Sequence, residues 1–155
     1  MSDILVKYHN ADLTRLVNYD KGDWIDLRAA KEVNLKAGES TLISLGISIK
    51  IPEEYEMWLV PRSSTFEKYG IIQTNGIGII DNSYCGNNDI IKMPVYAVRD
   101  TVIPFNERIA QFRFIPRMKY TVKAFRFGIK FKEVDDLGTE DRGGFGTSDK
   151  SFKLI

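Results

Sequence analysis

Short runs with apolar residues at every second position, each closed by a turn, set the strongest limit on how this 155-residue chain can fold. Ile47, Ile49 and Ile51 alternate with Ser48 and Lys50, the two-residue period of a half-buried strand. Ala110, Phe112 and Phe114 alternate with Gln111 and Arg113, and Tyr120, Val122 and Ala124 with Thr121 and Lys123. Residues 57–60 form a short apolar run. Residues 90–98 form another, in which Pro94 points to an edge or a bulge because proline cannot donate to a ladder. Turn clusters separate them, for example Lys36-Ala37-Gly38-Glu39 and Pro104-Phe105-Asn106. Many short strands at this spacing predict an all-β sandwich, barrel or jelly roll. One short helix is expected at 65–69, with Ser64 and Glu67 forming a capping box and Gly70 supplying the left-handed stop.

The chain is long enough for one domain with a real core. Its 22 basic and 21 acidic side chains leave a net charge of +1. That balance makes no electrostatic case for a nucleic-acid or membrane-surface protein, so an anionic ligand must be met by local arginines and backbone amides. The single cysteine, Cys85, allows no internal disulfide and no zinc site, and fits a reducing cytoplasm. No apolar run approaches the ~20 residues of a membrane span. The first residues, MSDILVKYHNAD, lack the pattern of a secretory signal. The expected organisation is a core over residues 1–136 and a glycine-rich arm over 137–155, mobile until something binds it.

With one histidine, His9, acid–base work falls to carboxylates. Asp81 and Tyr84 lie in GIGIIDNSYCGN, where Gly76, Gly78 and Gly86 let backbone approach a ligand. Read alone, this is first a surface turn shaped by its Asp and Asn, and the functional reading needs the rest of the chain. Asp26, between Ile25 and Leu27, is either functional, a salt-bridge partner of Arg28, or a turn cap. In Pro61-Arg62-Ser63-Ser64 a guanidinium and two hydroxyls meet a helix N-terminus, a phosphate cradle or simply a capped helix. Gln111 is read as facing solvent or a phosphate. In EDRGGFGTS, Arg142 can grip a terminal phosphate and Phe145 can stack on a base.

In order and spacing, GDWIDLRAA, PRSSTFEKYGI, TNGIGIIDNSYCGN, ERIAQF and EDRGGFGTS resemble the five motifs of trimeric dUTP pyrophosphatases. The resemblance spans residues 23–148. It implies a β-clip, jelly-roll-like subunit in a homotrimer whose sites draw on all three chains, hydrolysing dUTP to dUMP and pyrophosphate. Carried over by resemblance, Asp26 would hold Mg²⁺ through water, and Arg62, Ser63 and Ser64 would bind the triphosphate. Asn75 and the backbone of residues 76–80, Gly78 and Ile80 included, would read uracil. Asp81 would orient the attacking water, and Tyr84 would exclude a ribose 2′-hydroxyl. Gln111 would touch phosphate, Arg142 would bind the γ-phosphate and Phe145 would lid the base. Departures are Trp24 before the motif-one acid, Ser83 in place of an acid after Asp81, and a shortened spacing between Arg142 and Phe145. The shortened arm resembles a branch found in some bacteria and their phages. Two alternatives accompany this reading. A dCTP deaminase shares the fold but carries a glutamate on the strand after the hairpin, and DIIKMPVYAV has none. A nucleotide-binding regulatory protein with a protein partner is the other, and the resemblance leaves room for such a partner beside catalysis.

Overall fold

The computed structural model describes residues 4–17, 22–122, 132, 135 and 136. Among these, the elements in chain order are β1 (Val6–Tyr8), β2 (Ile25–Arg28), β3 (Val33–Leu35), β4 (Ser40–Ser44), β5 (Ile47–Ile49), β6 (Tyr55–Pro61), α1 (Thr65–Tyr69), β7 (Ile71–Gln73), β8 (Gly78–Ile80), β9 (Lys92–Ala97), β10 (Thr101–Ile103), β11 (Arg108–Pro116) and α2 (Met118–Thr121). All pairing is antiparallel. A four-stranded sheet runs β2-β11-β6-β8, a three-stranded sheet runs β4-β9-β7, and β1-β5 and β3-β10 form two-stranded ribbons. The all-β, jelly-roll-like class expected from the alternation holds.

The alternation fills the core. Met57, Leu59, Ile109, Ala110 and Phe112 from the larger sheet meet Ile43, Met93, Val95 and Ala97 from the smaller one, each nearly sealed from solvent. Apolar burial of this kind supplies the main favourable term in folding. On β5 the period is broken: Ser48 is buried with its isoleucine neighbours. Its hydroxyl hydrogen-bonds His9 Nε2 at 2.9 Å and donates to the Asn87 carbonyl at 3.2 Å, so the buried polar group is satisfied.

Four local expectations are corrected. Pro94 sits in β9, which is the central strand of its sheet. Its carbonyl accepts from Thr74 N–H at 3.1 Å, and in an extended strand a residue's N and C=O point the same way. The missing donor therefore faces Thr74, one residue past the last β7 partner, Gln73, so the bond proline cannot make falls where the pairing with β7 ends. Residues 118–121 are helical, a second short helix where a strand was expected. Val122 is 41% exposed, so its alternation finds no surface to cover, while Lys119 and Tyr120 both reach Glu53. Ala124 lies outside the described residues. The capping box is absent: Ser64 makes no side-chain cap bond. Instead the buried Thr65 hydroxyl accepts from Arg62 N–H and donates to Ile109 C=O, at 3.1 and 2.7 Å. Gly70 ends α1 at φ 58° as expected, and a Cβ there would also strike the Arg99 side chain at 2.7 Å. Finally, the segment around Asp81 is not a paired hairpin, because β7 joins β9 and β8 joins β6. The turn between β7 and β8 carries the chain from one sheet to the other.

Candidate active site

One polar group forms where β2, β11 and the end of β6 meet. Asp26 stands opposite Gln111, and Gln111 opposite Val60, so all three share a face of the sheet. The Asp26 carboxylate is gripped by Arg62 Nε at 2.8 Å and Arg108 Nη1 at 3.1 Å. Arg28 does not join it; that guanidinium donates to the Asn106 carbonyl at 2.7 Å. Gln111 faces the protein and not solvent, donating to Pro61 C=O at 3.3 Å. The Thr65 pin on Ile109 fixes the turn that carries Arg62, Ser63 and Ser64, and a register shift between Arg108 and Ala110 re-aims the start of β11 beside them. Ser63 is exposed and Ser64 half-buried. The result is a half-buried arginine, Arg62, and an exposed one, Arg108, bridged by one carboxylate, with two hydroxyls at its lip, a donor set suited to phosphate oxygens.

A second group surrounds Asp81, which follows β8. Its side chain is 54% exposed. Ser83 N–H donates to Oδ1 at 2.9 Å, and Arg117 Nη2 approaches Oδ2 at 3.9 Å. Hydrogen bonds from Ser83, side chain first and then backbone, hold this carboxyl below the usual carboxylate range, with the Arg117 charge adding to them. An acid at position 83 would instead repel it, so the serine is a compatible replacement. Arg117 also donates to Asn82 Oδ1 at 2.9 Å and to Glu53 C=O at 3.1 Å, tying the loop after β8 to the end of β11. Tyr84 donates its hydroxyl to Ile90 C=O at 3.1 Å. Ile79, Ile80, Asp81, Tyr84, Ile90 and Lys92 line a cleft of about 300 Å³.

The third group is the turn from β7 to β8. Asn75 is exposed, and Gly76 has φ 67° with nothing near its missing Cβ, so this glycine serves the turn and leaves open space. Gly78 packs on Leu59 instead: a Cβ there would lie 3.3 Å from the leucine Cβ. The approach at Gly86 is taken by Asp89, whose carboxylate accepts the Gly86 N–H at 2.7 Å. Among the described residues β8 has a partner on one side only, which leaves its other edge of backbone donors and acceptors open to a ligand.

The first two of these groups do not converge within one chain. Ile80 faces Met57 across β8 and β6, so Asp81 is level with Glu56, and Arg62 lies six residues further along at about 3.3 Å per residue, roughly 20 Å away. Asp81 and Tyr84 belong to one end of the sheet, and Asp26, Arg62 and Gln111 to the other. Arg142 and Phe145 lie outside the described residues. Among residues the motifs did not single out, Arg108 could have been found inside ERIAQF. Arg117 and Gln73 carry no sequence signal, since only the packing of β11 on the loop after β8, and of β7 on β6, gives them their partners.

The chain matches the family model described as dUTPase over residues 21–148. It is 46% identical over 145 residues to the SPbeta prophage-derived deoxyuridine 5'-triphosphate nucleotidohydrolase YosS of Bacillus subtilis, covering 94% of this chain and 96% of that protein. It shares its fold with the dUTPase of Staphylococcus bacteriophage 80alpha bound to dUPNHPP, at a TM-score of 0.70, 21% identity, and coverage of 96% of this chain and 99% of that one. It shares it also with a mutant dUTPase of phage phi11 of S. aureus, a structure described as detailing the coordination of a structural Mg(II) ion. There the TM-score is 0.69 at 16% identity, with 88% and 99% of the two chains covered.

Proposed function

This chain belongs to the dUTPase family, and from that premise we propose that it hydrolyses dUTP to dUMP and pyrophosphate in sites shared between the chains of a homotrimer. The observation that carries the reading is Asp81, an exposed carboxylate whose pKa is lowered by Ser83, at the lip of a cleft lined in part by Tyr84. An ionised acid so placed can accept a hydrogen bond from a water and take its proton as the new P–O bond forms at the α-phosphorus. Pyrophosphate then leaves with the electrons of the broken bond. Such phosphoryl chemistry needs positioning and charge neutralisation above all. Arg62, Arg108, Ser63, Ser64 and Gln111 of a neighbouring chain would hold the phosphates, and Arg142 and Phe145 on the 137–155 arm would close over the γ-phosphate and the base. The backbone of residues 76–80 and Asn75 would read uracil from the open side of β8.

The family setting brings Mg²⁺ into the reading. Asp26 fits it as an outer-sphere holder: its two oxygens already face two guanidiniums, yet a carboxylate has further lone pairs that can accept from a metal's waters. When bound, the ion would supply charge neutralisation to the triphosphate. Among the described residues no cluster of three or more acidic, His or Cys side chains gathers, and a site that shares its ion with substrate phosphates does not require one. Assembly from several chains is supported by the roughly 20 Å between Asp81 and Arg62 and by exposed apolar side chains, among them Ile79 at 63% and Leu42 at 61%. A lone exposed cysteine, Cys85, supports a cytoplasmic setting. A regulatory protein partner is a further element of the reading. Its support is the 80alpha relative, described in connection with control of virulence-gene transfer.

Incubation with dUTP, dCTP, dTTP and UTP plus Mg²⁺, scored for monophosphate, pyrophosphate and ammonia, tests the proposal. dUTP alone should yield monophosphate and pyrophosphate; ammonia from dCTP would favour the deaminase alternative, which the acid-free β9 argues against. In the same panel, Tyr84→Ala should lower the dUTP-over-UTP ratio of kcat/KM by about 10–100-fold, the range a pocket uses to reject one added hydroxyl. An unchanged ratio would remove Tyr84 from sugar discrimination. Ser83→Ala deletes the foremost cause of Asp81's lowered pKa. The carboxyl pKa then rises, and the acid limb of the kcat–pH profile should move to higher pH. A limb that stays put would detach that titration from Asp81.

A further inference from the structure

Gln73 closes β7 at the point where the chain turns into the base-reading segment, and it is one of few polar side chains in the core, 6% exposed. Its Nε2 donates twice, to Leu59 C=O at 3.1 Å and to Asn75 Oδ1 at 2.9 Å. Its Oε1 is buried with no partner, an uncompensated cost that a random core position would not keep. The Leu59 carbonyl decides the orientation. Were the Gln73 amide turned over, its oxygen would face that carbonyl, and the bond to Leu59 would be replaced by a repulsive oxygen–oxygen contact. With the Gln73 amide fixed, its second N–H claims Asn75 Oδ1, and the asparagine must turn Nδ2 the other way. Among the described residues nothing accepts from that Nδ2.

We propose that Gln73 is a specificity-setting positioning residue: it locks the Asn75 side chain with its amide donor, and not its acceptor, offered to the nucleobase. A fixed N–H donor suits the O4 carbonyl of uracil and opposes the N4 amino group of cytosine, so discrimination rests on a bond made behind the reading residue. Two opposed donors cost more than one missing bond, because a desolvated N–H is left unpaired. The inference deepens the proposed function and rests on Asn75 facing the base.

Gln73→Met keeps the volume and removes both donors. It should lower the dUTP-over-dCTP ratio of kcat/KM roughly tenfold, the worth of about one hydrogen bond to a buried group, chiefly through a higher KM for dUTP with kcat kept. Gln73→Glu, which can only accept, should invert Asn75 and lower the ratio further. A folded Gln73→Met chain with an unaltered ratio overturns the proposal. In the unmodified chain, the Gln73 side-chain NH2 should exchange slowly with solvent by NMR, and rapid exchange overturns it equally, whether or not the variants fold. If the unmodified chain hydrolyses neither nucleotide, the proposed function fails, while slow exchange of that amide would still uphold the lock.

Discussion

Asp81→Asn should abolish dUTP turnover while leaving nucleotide binding in place. The substitution keeps the shape of the side chain and its capacity to accept from Ser83 N–H, now 2.9 Å away, so the loop after β8 keeps its course. On the proposed mechanism it removes the negative charge that would draw the attacking water and the basic site that would receive its proton. Loss of a positioned general base costs typically 10²–10⁴-fold, and the loss should fall on kcat, since in the proposed site other residues, at the phosphate cradle and the base-reading turn, would hold the substrate. Arg117, whose guanidinium lies 3.9 Å from Oδ2, would lose a weak, exposed ion pair of small worth to stability. Pre-steady-state turnover beside equilibrium binding of a non-hydrolysable dUTP analogue makes the distinction. Binding lost together with turnover, or turnover retained, would take the catalytic role away from Asp81.

Arg62→Ala should be equally inactive alone, and the two dead variants should rescue one another when unfolded together and reassembled. The expectation follows from the sheet. Asp81 and Arg62 sit roughly 20 Å apart along β6, too far to flank one phosphorus, so a working site must take them from different chains. In a closed ring of three, a site is intact when one neighbour supplies Asp81 and the other supplies Arg62. Random mixing of equal amounts leaves about a quarter of the sites so composed. Activity near that fraction, absent from either variant reassembled alone, is the expected result. No recovery in mixed, correctly sized oligomers would mean that each chain completes its own site. Arg62→Ala also releases Asp26 from its shorter ion pair of 2.8 Å, so thermal melting of the single variant should accompany the assay to separate lost chemistry from lost structure.

Much of the architecture was legible because strands leave a local mark. The pattern at 47–51 marks the strand β5, although Ser48 is buried with its neighbours, the alternation at 110–114 belongs to β11, and the stop at Gly70 has the left-handed backbone expected of it. Where the local mark misled, a distant segment decided. Tyr120 and Val122 have the right period, but Tyr120 turns to Glu53 and Val122 stays exposed. Pro94 reads as an edge residue, yet its missing N–H points past the end of β7, where a central strand can tolerate it. Ser64 reads as the cap, but Thr65 has the buried carbonyl of Ile109 within reach and anchors the turn instead.

The candidate site divides along the same line. The five motifs in order, through their resemblance to a known family, were enough to nominate Asp26, Arg62, Asn75, Asp81, Tyr84 and Gln111; the residues alone left a structural reading open for Asp26, Arg62, Asp81 and Gln111, and did not single out Asn75. What each nominee touches was beyond the sequence. Asp26 lies two residues from Arg28 but pairs with Arg62 and with Arg108, 82 residues away. Gln73 acquires its role only because β6 lays the Leu59 carbonyl beside it. A side chain's chemistry is fixed by its own atoms and a strand by its neighbours of a few residues, so the sequence alone determines both. Which partner a charge or an amide finds depends on sheet register and on competition among packed segments, and that is decided only when the whole chain has closed on its core.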